Sequence, residues 1–207
     1  AEVVPWLWFL TRTSDCRIFA KKKIPDIIDL VFKDCKFPHT VDWKCKDGPY
    51  KEWEYCVQYR ETDFNFVSRL LEQEGIFYYF RHTENDHILV LGDKASHYTD
   101  SDKEIEYQYS YAGGAAQADA VTDWVRQYQF VPGAYCQTDY NFQKFPAEGN
   151  THPNKPLESQ RPAKGRAKQF PNAAEHELFD YPGEYEQPDE ATFYTSRYMD
   201  EEEVPCD

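Results

Sequence analysis

The sequence predicts an α+β fold, mostly antiparallel β, on three observations. Aromatic residues make up 17% of the chain, with 16 Tyr, 14 Phe and 5 Trp, and such side chains favour pleated surfaces and interfaces. Apolar residues recur at helical spacing in two segments, Ile24 to Phe32 and Phe64 to Leu71. Two apolar runs, Ile76 to Phe80 and His87 to Leu91, flank the turn-forming Glu84-Asn85-Asp86 and read as a hairpin.

Taken in order, Pro5-Trp6-Leu7-Trp8-Phe9-Leu10 is an apolar block that reads as a buried strand. It has no preceding cap or turn, so its strand partners are expected upstream and the chain reads as cut from something longer. Ile24, Ile27, Ile28, Val31 and Phe32 hold one face of a helix. Pro25 fits its first turn. Residues 34–54, with Pro38, Gly48 and Pro49, read as strands joined by loops, and Cys56 to Tyr59 as a short strand. Asp63 is the expected cap of the next helix, with Phe64, Val67 and Leu71 as its apolar stripe and Gly75 as its stop.

Gly113-Gly114-Ala115-Ala116 marks an expected boundary. The organisation that follows is an α+β module over 1–112, barrel-type strands over 113–142, a long loop or linker over 143–175, and a turn and helix over 176–207. Within it, Val121 to Val131 and Tyr135 to Phe142 read as strands about Pro132-Gly133. Phe179 to Gly183 reads as a strand end and turn. Pro188 opens a helix with Ala191, Tyr194 and Tyr198 on one side, and Pro205 stops it.

The formal charge of −14 repels phosphates and argues against non-specific nucleic-acid binding. The basic run Lys21-Lys22-Lys23 is too short to reverse that. No stretch of roughly 18 apolar residues is present to cross a bilayer as a helix. The 6 cysteines are expected to be reduced, since a chain of 207 residues does not depend on disulfides.

Several constellations invite chemistry. Cys35, His39, Cys45 and Cys56 are zinc-type ligands, but their spacing contains no tight ligand pair, and ordinary cysteines are the better reading. His176-Glu177-Leu178-Phe179-Asp180 begins like a metalloprotease helix, yet Asp180 stands where a second His is needed and Pro182 would end the helix. Glu72 and Glu74 lie two apart on a helix and cannot share a proton; a solvated face is expected for them. The acidic run Asp200 to Glu203 is likewise expected to be solvated. Catalytic, cofactor-binding and metal residues are therefore expected to be absent, and no cofactor is implied.

One run is longer and more specific. Cys56-Val57-Gln58-Tyr59-Arg60-Glu61-Thr62-Asp63-Phe64-Asn65-Phe66-Val67-Ser68-Arg69-Leu70-Leu71-Glu72-Gln73-Glu74-Gly75-Ile76-Phe77-Tyr78-Tyr79-Phe80 resembles the signature of the VgrG family, the spike proteins of type VI secretion. Pro5 to Arg12, Cys16 to Phe19, Ile24 to Ile28, His87 to Asp93 and Asp180 to Gly183 resemble further family segments in the same order. The resemblance implies phage-tail-hub-like barrel parts with an α+β baseplate-like module, here an incomplete fragment. It implies a structural spike or hub component, not an enzyme, that punctures target envelopes and carries effectors. The implied partners are two further copies in a homotrimer, Hcp tube hexamers, a spike-tip protein and effectors or adaptors, with no nucleic acid. Assembly in the bacterial cytoplasm followed by secretion to the exterior or the target cell is implied as well. A related phage baseplate hub, or an effector enzyme borrowing the module, are the alternatives.

Overall fold

The computed structural model describes residues 1–99, 106–107, 120–121, 123–125, 129–139 and 158–204. The chain divides into two compact units, Ala1–Asp100 and Ser101–Asp207. The architecture is α+β, and among the described residues no sheet closes into a barrel. The glycine-rich boundary expected at 113–116 lies outside the described residues.

The first unit opens with a 3₁₀ helix, Trp6–Arg12, where a strand was expected. Trp6, Leu7 and Leu10 are buried while Trp8 points out. That spacing belongs to a helix and not to the two-residue alternation of a strand. The Trp8 N–H donates to Pro5 O at 3.0 Å and closes the first turn. A segment of this kind takes no strand partner, so the upstream pairing expected for it falls away.

Strand β1, Ser14–Lys23, runs directly into helix α1, Ile24–Asp34, with Pro25 in its first turn. Ile24, Ile27, Ile28, Val31 and Phe32 are buried, as their spacing predicts. The short β2, Thr40–Trp43, is followed by β3, Glu52–Thr62, which pairs antiparallel with β1 in a long two-stranded ribbon. The strand expected over Cys56 to Tyr59 is thus the middle of a longer one.

Helix α2, Asp63–Glu74, is capped by Thr62, whose hydroxyl accepts the Asn65 N–H at 3.1 Å; the expected cap, Asp63, is the first helical residue. The buried face is Phe66, Val67, Leu70 and Leu71, with Phe64 only half-buried, so the expected stripe is rotated. Gly75 takes the left-handed conformation at φ 65° that ends the helix. Strands β4, Phe77–His82, and β5, His87–Gly92, form the expected antiparallel hairpin. Beyond the hairpin, β2 adds parallel to β5, which makes β5 the central strand. Leu89, Val90 and Leu91 are accordingly fully buried. The 3₁₀ helix, α1, α2, the inner side of the ribbon and β5 share one apolar core.

In the second unit, β6, Glu106–Tyr107, and β7, Ala120–Val121, are a short parallel pair. Of the strand expected from Val121 to Val131, Val121 is strand while Asp123 to Val125 and Gln129 to Val131 are not, and 122 and 126–128 lie outside the described residues. Strand β8, Ala134–Gln137, is the centre of a three-stranded sheet. It pairs antiparallel with β9, Ser159–Pro162, and parallel with β10, Glu177–Asp180. The second expected strand, Tyr135 to Phe142, is thus seen over Tyr135 to Gln137, and its residues from 140 onward lie outside the described set.

The second half of the stretch expected to be loop carries β9 and buries Ala163, Ala167 and Ala173. Small side chains at close backbone approaches leave no hydrophobic period for the sequence to display. Gly133 shows how close: its N–H donates to Ala173 O and to His176 O, each at 3.0 Å, and an added Cβ would lie 2.3 Å from Ala173 O.

Helix α3, Pro188–Glu203, begins with a reciprocal cap between Gln187 and Glu190. It buries Ala191, Tyr194, Thr195 and Met199, with Tyr198 half-buried and stacked on Tyr135. Glu203 was expected in solvent. It is buried instead, because its carboxylate accepts the Lys164 N–H at 3.1 Å and the Gly165 N–H at 2.6 Å.

Candidate functional site: a clamped ribbon with an exposed apolar face

The β1–β3 ribbon has two unlike faces. Register pairs Cys16 with Tyr59, Ile18 with Val57 and Ala20 with Tyr55. Directly opposed residues in an antiparallel pair point to the same side. All six are exposed, Ile18 at 74% and Tyr55 and Tyr59 each at 65%. The other face, where Arg17 meets Gln58 and Phe19 meets Cys56, turns inward. Phe19 there stacks on Phe66 of α2 at 5.6 Å. Large apolar side chains thus stand in solvent while a glutamine and an arginine are taken inside.

The inward polar groups are fully engaged. Arg17 Nη2 donates to Asp63 Oδ1 at 2.5 Å, its Nε to Gln58 Oε1 at 2.8 Å, and its Nη1 to Asp34 Oδ2 at 2.9 Å. Gln58 Nε2 donates to Asp63 Oδ1 at 2.8 Å and to Glu61 O at 3.2 Å. Thr13 Oγ1 donates to the second Asp63 oxygen at 2.7 Å. One carboxylate therefore ties together β1, β3, the turn before β1 and the start of α2. A buried carboxylate needs this many donors to offset its lost hydration. A second clamp sits further along: the Arg69 guanidinium bonds both Glu61 carboxylate oxygens at 2.8 to 3.2 Å and also reaches Val57 O at 2.8 Å. Between Asp15 and Cys16 the register shifts by one residue, with Arg60 at φ 52° as the extra residue of a bulge. Its guanidinium lies 5.3 Å from the Tyr59 ring.

Electrostatics elsewhere in the first unit follow local partners. Burial pushes the Tyr50 hydroxyl well above the usual tyrosine range, helped by Cys45, Asp93 and Glu74 nearby. Burial opposes ionisation of Asp42, but bonds from Lys44 and Arg81 outweigh it and hold the carboxyl below its ordinary value. Lys46 is raised by its bond to Asp29.

The candidate ligands do not converge. Cys35 closes α1, its N–H donating to Phe32 O at 3.0 Å. His39 Nδ1 donates to Phe37 O at 2.8 Å, and its ring lies against Trp6. Cys45 is buried with Sγ donating to Leu91 O at 3.6 Å, and Cys56 packs on the core from β3. Among the described residues no three His, Cys, Asp or Glu side chains are placed to hold a metal ion. His176 precedes a strand and not a helix, with its ring edge-on to Phe130 at 5.3 Å. Of the carboxylates on α2, Glu72 is exposed as expected, whereas Glu74 is wholly buried. No helix among the described residues is long and apolar enough to cross a membrane.

The residues that organise the ribbon, Arg17 above all, were not singled out from the sequence. The sequence carried no signal for them, since the inward placement of Gln58 and Asp63 that demands a buried donor is visible only in the fold.

Comparison with known proteins gives the chain its relatives. The chain matches the phage tail baseplate hub (GPD) family over residues 1–205. It is 46% identical over 191 residues to the type VI secretion system spike protein VgrG1c of Pseudomonas aeruginosa, covering 92% of this chain and 24% of that protein. To VgrG1a of the same organism it is 42% identical over 195 residues, 94% of this chain and 28% of that one. To the actin cross-linking toxin VgrG1 of Vibrio cholerae it is 29% identical over 142 residues, 69% of this chain and 13% of that one. The chain thus spans about a quarter of the length of the Pseudomonas relatives. Matched along nearly its whole length, it belongs to the phage tail baseplate hub (GPD) family.

Proposed function

We propose that the chain is a structural part of the spike of a type VI secretion apparatus, with no catalytic residue, cofactor or metal of its own. The observation that carries this reading is the similarity to VgrG spike proteins over more than nine-tenths of the chain. The geometry suits the role. A spike component has to transmit force without deforming, and the ribbon is joined to α2 through bonded, buried groups and a shared apolar core. It also has to pack against neighbours, and the ribbon offers apolar side chains to do so. In this reading the complete protein is a homotrimer seated on Hcp tube hexamers. It carries a spike-tip protein and effectors or adaptors, assembles in the bacterial cytoplasm and leaves the cell on firing.

Light scattering on the full-length protein tests the reading directly. A trimer is the expected result, and a monomer at micromolar concentration removes it. A second reading has one observation in its favour, the relative named as an actin cross-linking toxin. In that reading the module belongs to an effector whose enzymatic domain is separate from these residues. Cross-linking of actin by the full-length protein, lost on removal of residues beyond this module, would establish it.

A further inference from the structure

We propose that His87 is a proton-sensitive latch, holding the 3₁₀ segment Trp6–Arg12 on the β4–β5 hairpin while its ring is neutral and releasing it on protonation. The Trp6 backbone N–H donates to His87 Nε2 at 3.0 Å, across 81 residues of sequence. A backbone N–H can only donate, so Nε2 must carry a lone pair and any ring proton must sit on Nδ1. Adding a proton to Nε2 sets two donors against each other, and the bond is lost.

The surroundings make this contact a junction. Trp6 is buried to 2% and its ring meets Phe32 edge-on at 5.1 Å, so the N–H sits at the root of a core anchor. His82 pairs directly with His87 across the hairpin, with ring centroids 6.2 Å apart and planes 20° apart. His39, whose ring lies 4.7 Å from Trp6, donates from Nδ1 to Phe37 O.

On the neighbouring elements, Lys44, just after β2, pairs with Asp42 at 3.0 Å. Asp86 accepts the His87 backbone N–H at 2.8 Å and also the Thr40 hydroxyl at 2.6 Å. Arg81 of β4 and Asp42 of β2 are paired with each other at 3.2 Å. Arg12 of the 3₁₀ segment lies over Trp8, 4.4 Å from the ring centroid.

The test is amide exchange at Trp6 in the 207-residue chain, divided by the intrinsic rate at each pH, with His87→Gln as the comparison. Glutamine presents an oxygen acceptor that does not titrate. From about pH 8 to about pH 5 the native chain should lose roughly three- to ten-fold of its Trp6 protection, the worth of one hydrogen bond, while H87Q loses less than about two-fold. Equal loss in both, or no loss in the native chain, overturns the latch. Ring nitrogen shifts of the native protein near pH 8 give a reading independent of the variant. Nε2 of His87 should be unprotonated, and a proton found there overturns the proposal as well.

Discussion

Arg17 Nη2 and Asp63 Oδ1 stand 2.5 Å apart, joining the second residue pair beyond the bulge to the first turn of α2. Side-chain exposure is 19% for Arg17 and 11% for Asp63. Removing one member leaves the other charge buried with fewer partners. Arg17→Ala and Asp63→Ala should each destabilise the first unit by about 3 kcal/mol, and the double variant by clearly less than the sum. Urea unfolding of the four proteins checks both statements.

The cap assignment has its own test. Thr62→Ala removes the acceptor of the Asn65 N–H and should cost about 1 kcal/mol, and Thr62→Ser should restore most of it. Were Asp63 the cap, T62A would be nearly silent in the same unfolding experiment.

Gly133→Ala drives a methyl group into the carbonyl of Ala173, where backbone and not a movable side chain stands in the way. A loss of about 2 kcal/mol or more is expected, confined to the second unit. Hydrogen exchange read separately over Ala134–Gln137 and over Leu89 to Leu91 should show the first sensitised and the second unchanged.

Tyr185 is buried, with its hydroxyl donating to Gln137 O at 2.8 Å, and burial pushes its ionisation up to about 12, with the Asp139 charge adding to the effect. The folded state therefore favours the neutral phenol more than the unfolded state does. This contribution is complete below the ordinary tyrosine value of 10.0 and is lost as pH rises towards about 12. Alkaline unfolding followed at tyrosinate absorbance should be less steep in Tyr185→Phe than in the native chain over that window.

Legibility in the sequence followed how local each determinant was. Helix α1 was readable because five apolar residues at helical spacing all face one core. The hairpin was readable because its turn residues sit between its arms. The 5–10 block was not, since a short apolar run carries no period that separates a strand from a 3₁₀ turn. Thr62 and Asp63 can both cap a helix, and the choice between them was settled by Arg17, which claims Asp63 from another strand. Glu203 and Asp63 are buried because donors arrive from segments 38 and 46 residues away. The family signature was legible as a run of residues. That its alternation turns Val57 and Tyr59 outward and Gln58 inward was not, because pattern alone assigns the apolar side to the core.

The ribbon also has a mechanical direction. Its ladder bonds lie across the strands, from Ser14 opposite Thr62 to Lys23 opposite Glu52. A pull along the strand axis loads those bonds together, in shear. A pull across the axis opens them one pair at a time, like a peeled strip. Arg17 and Arg69 tie the ribbon to α2 near the bulged end, so peeling from that end must first break charged contacts. The opposite end at Lys23 passes straight into α1 without a loop, so tension along β1 is handed on to the helix. A body built this way is stiff along one line and compliant across it.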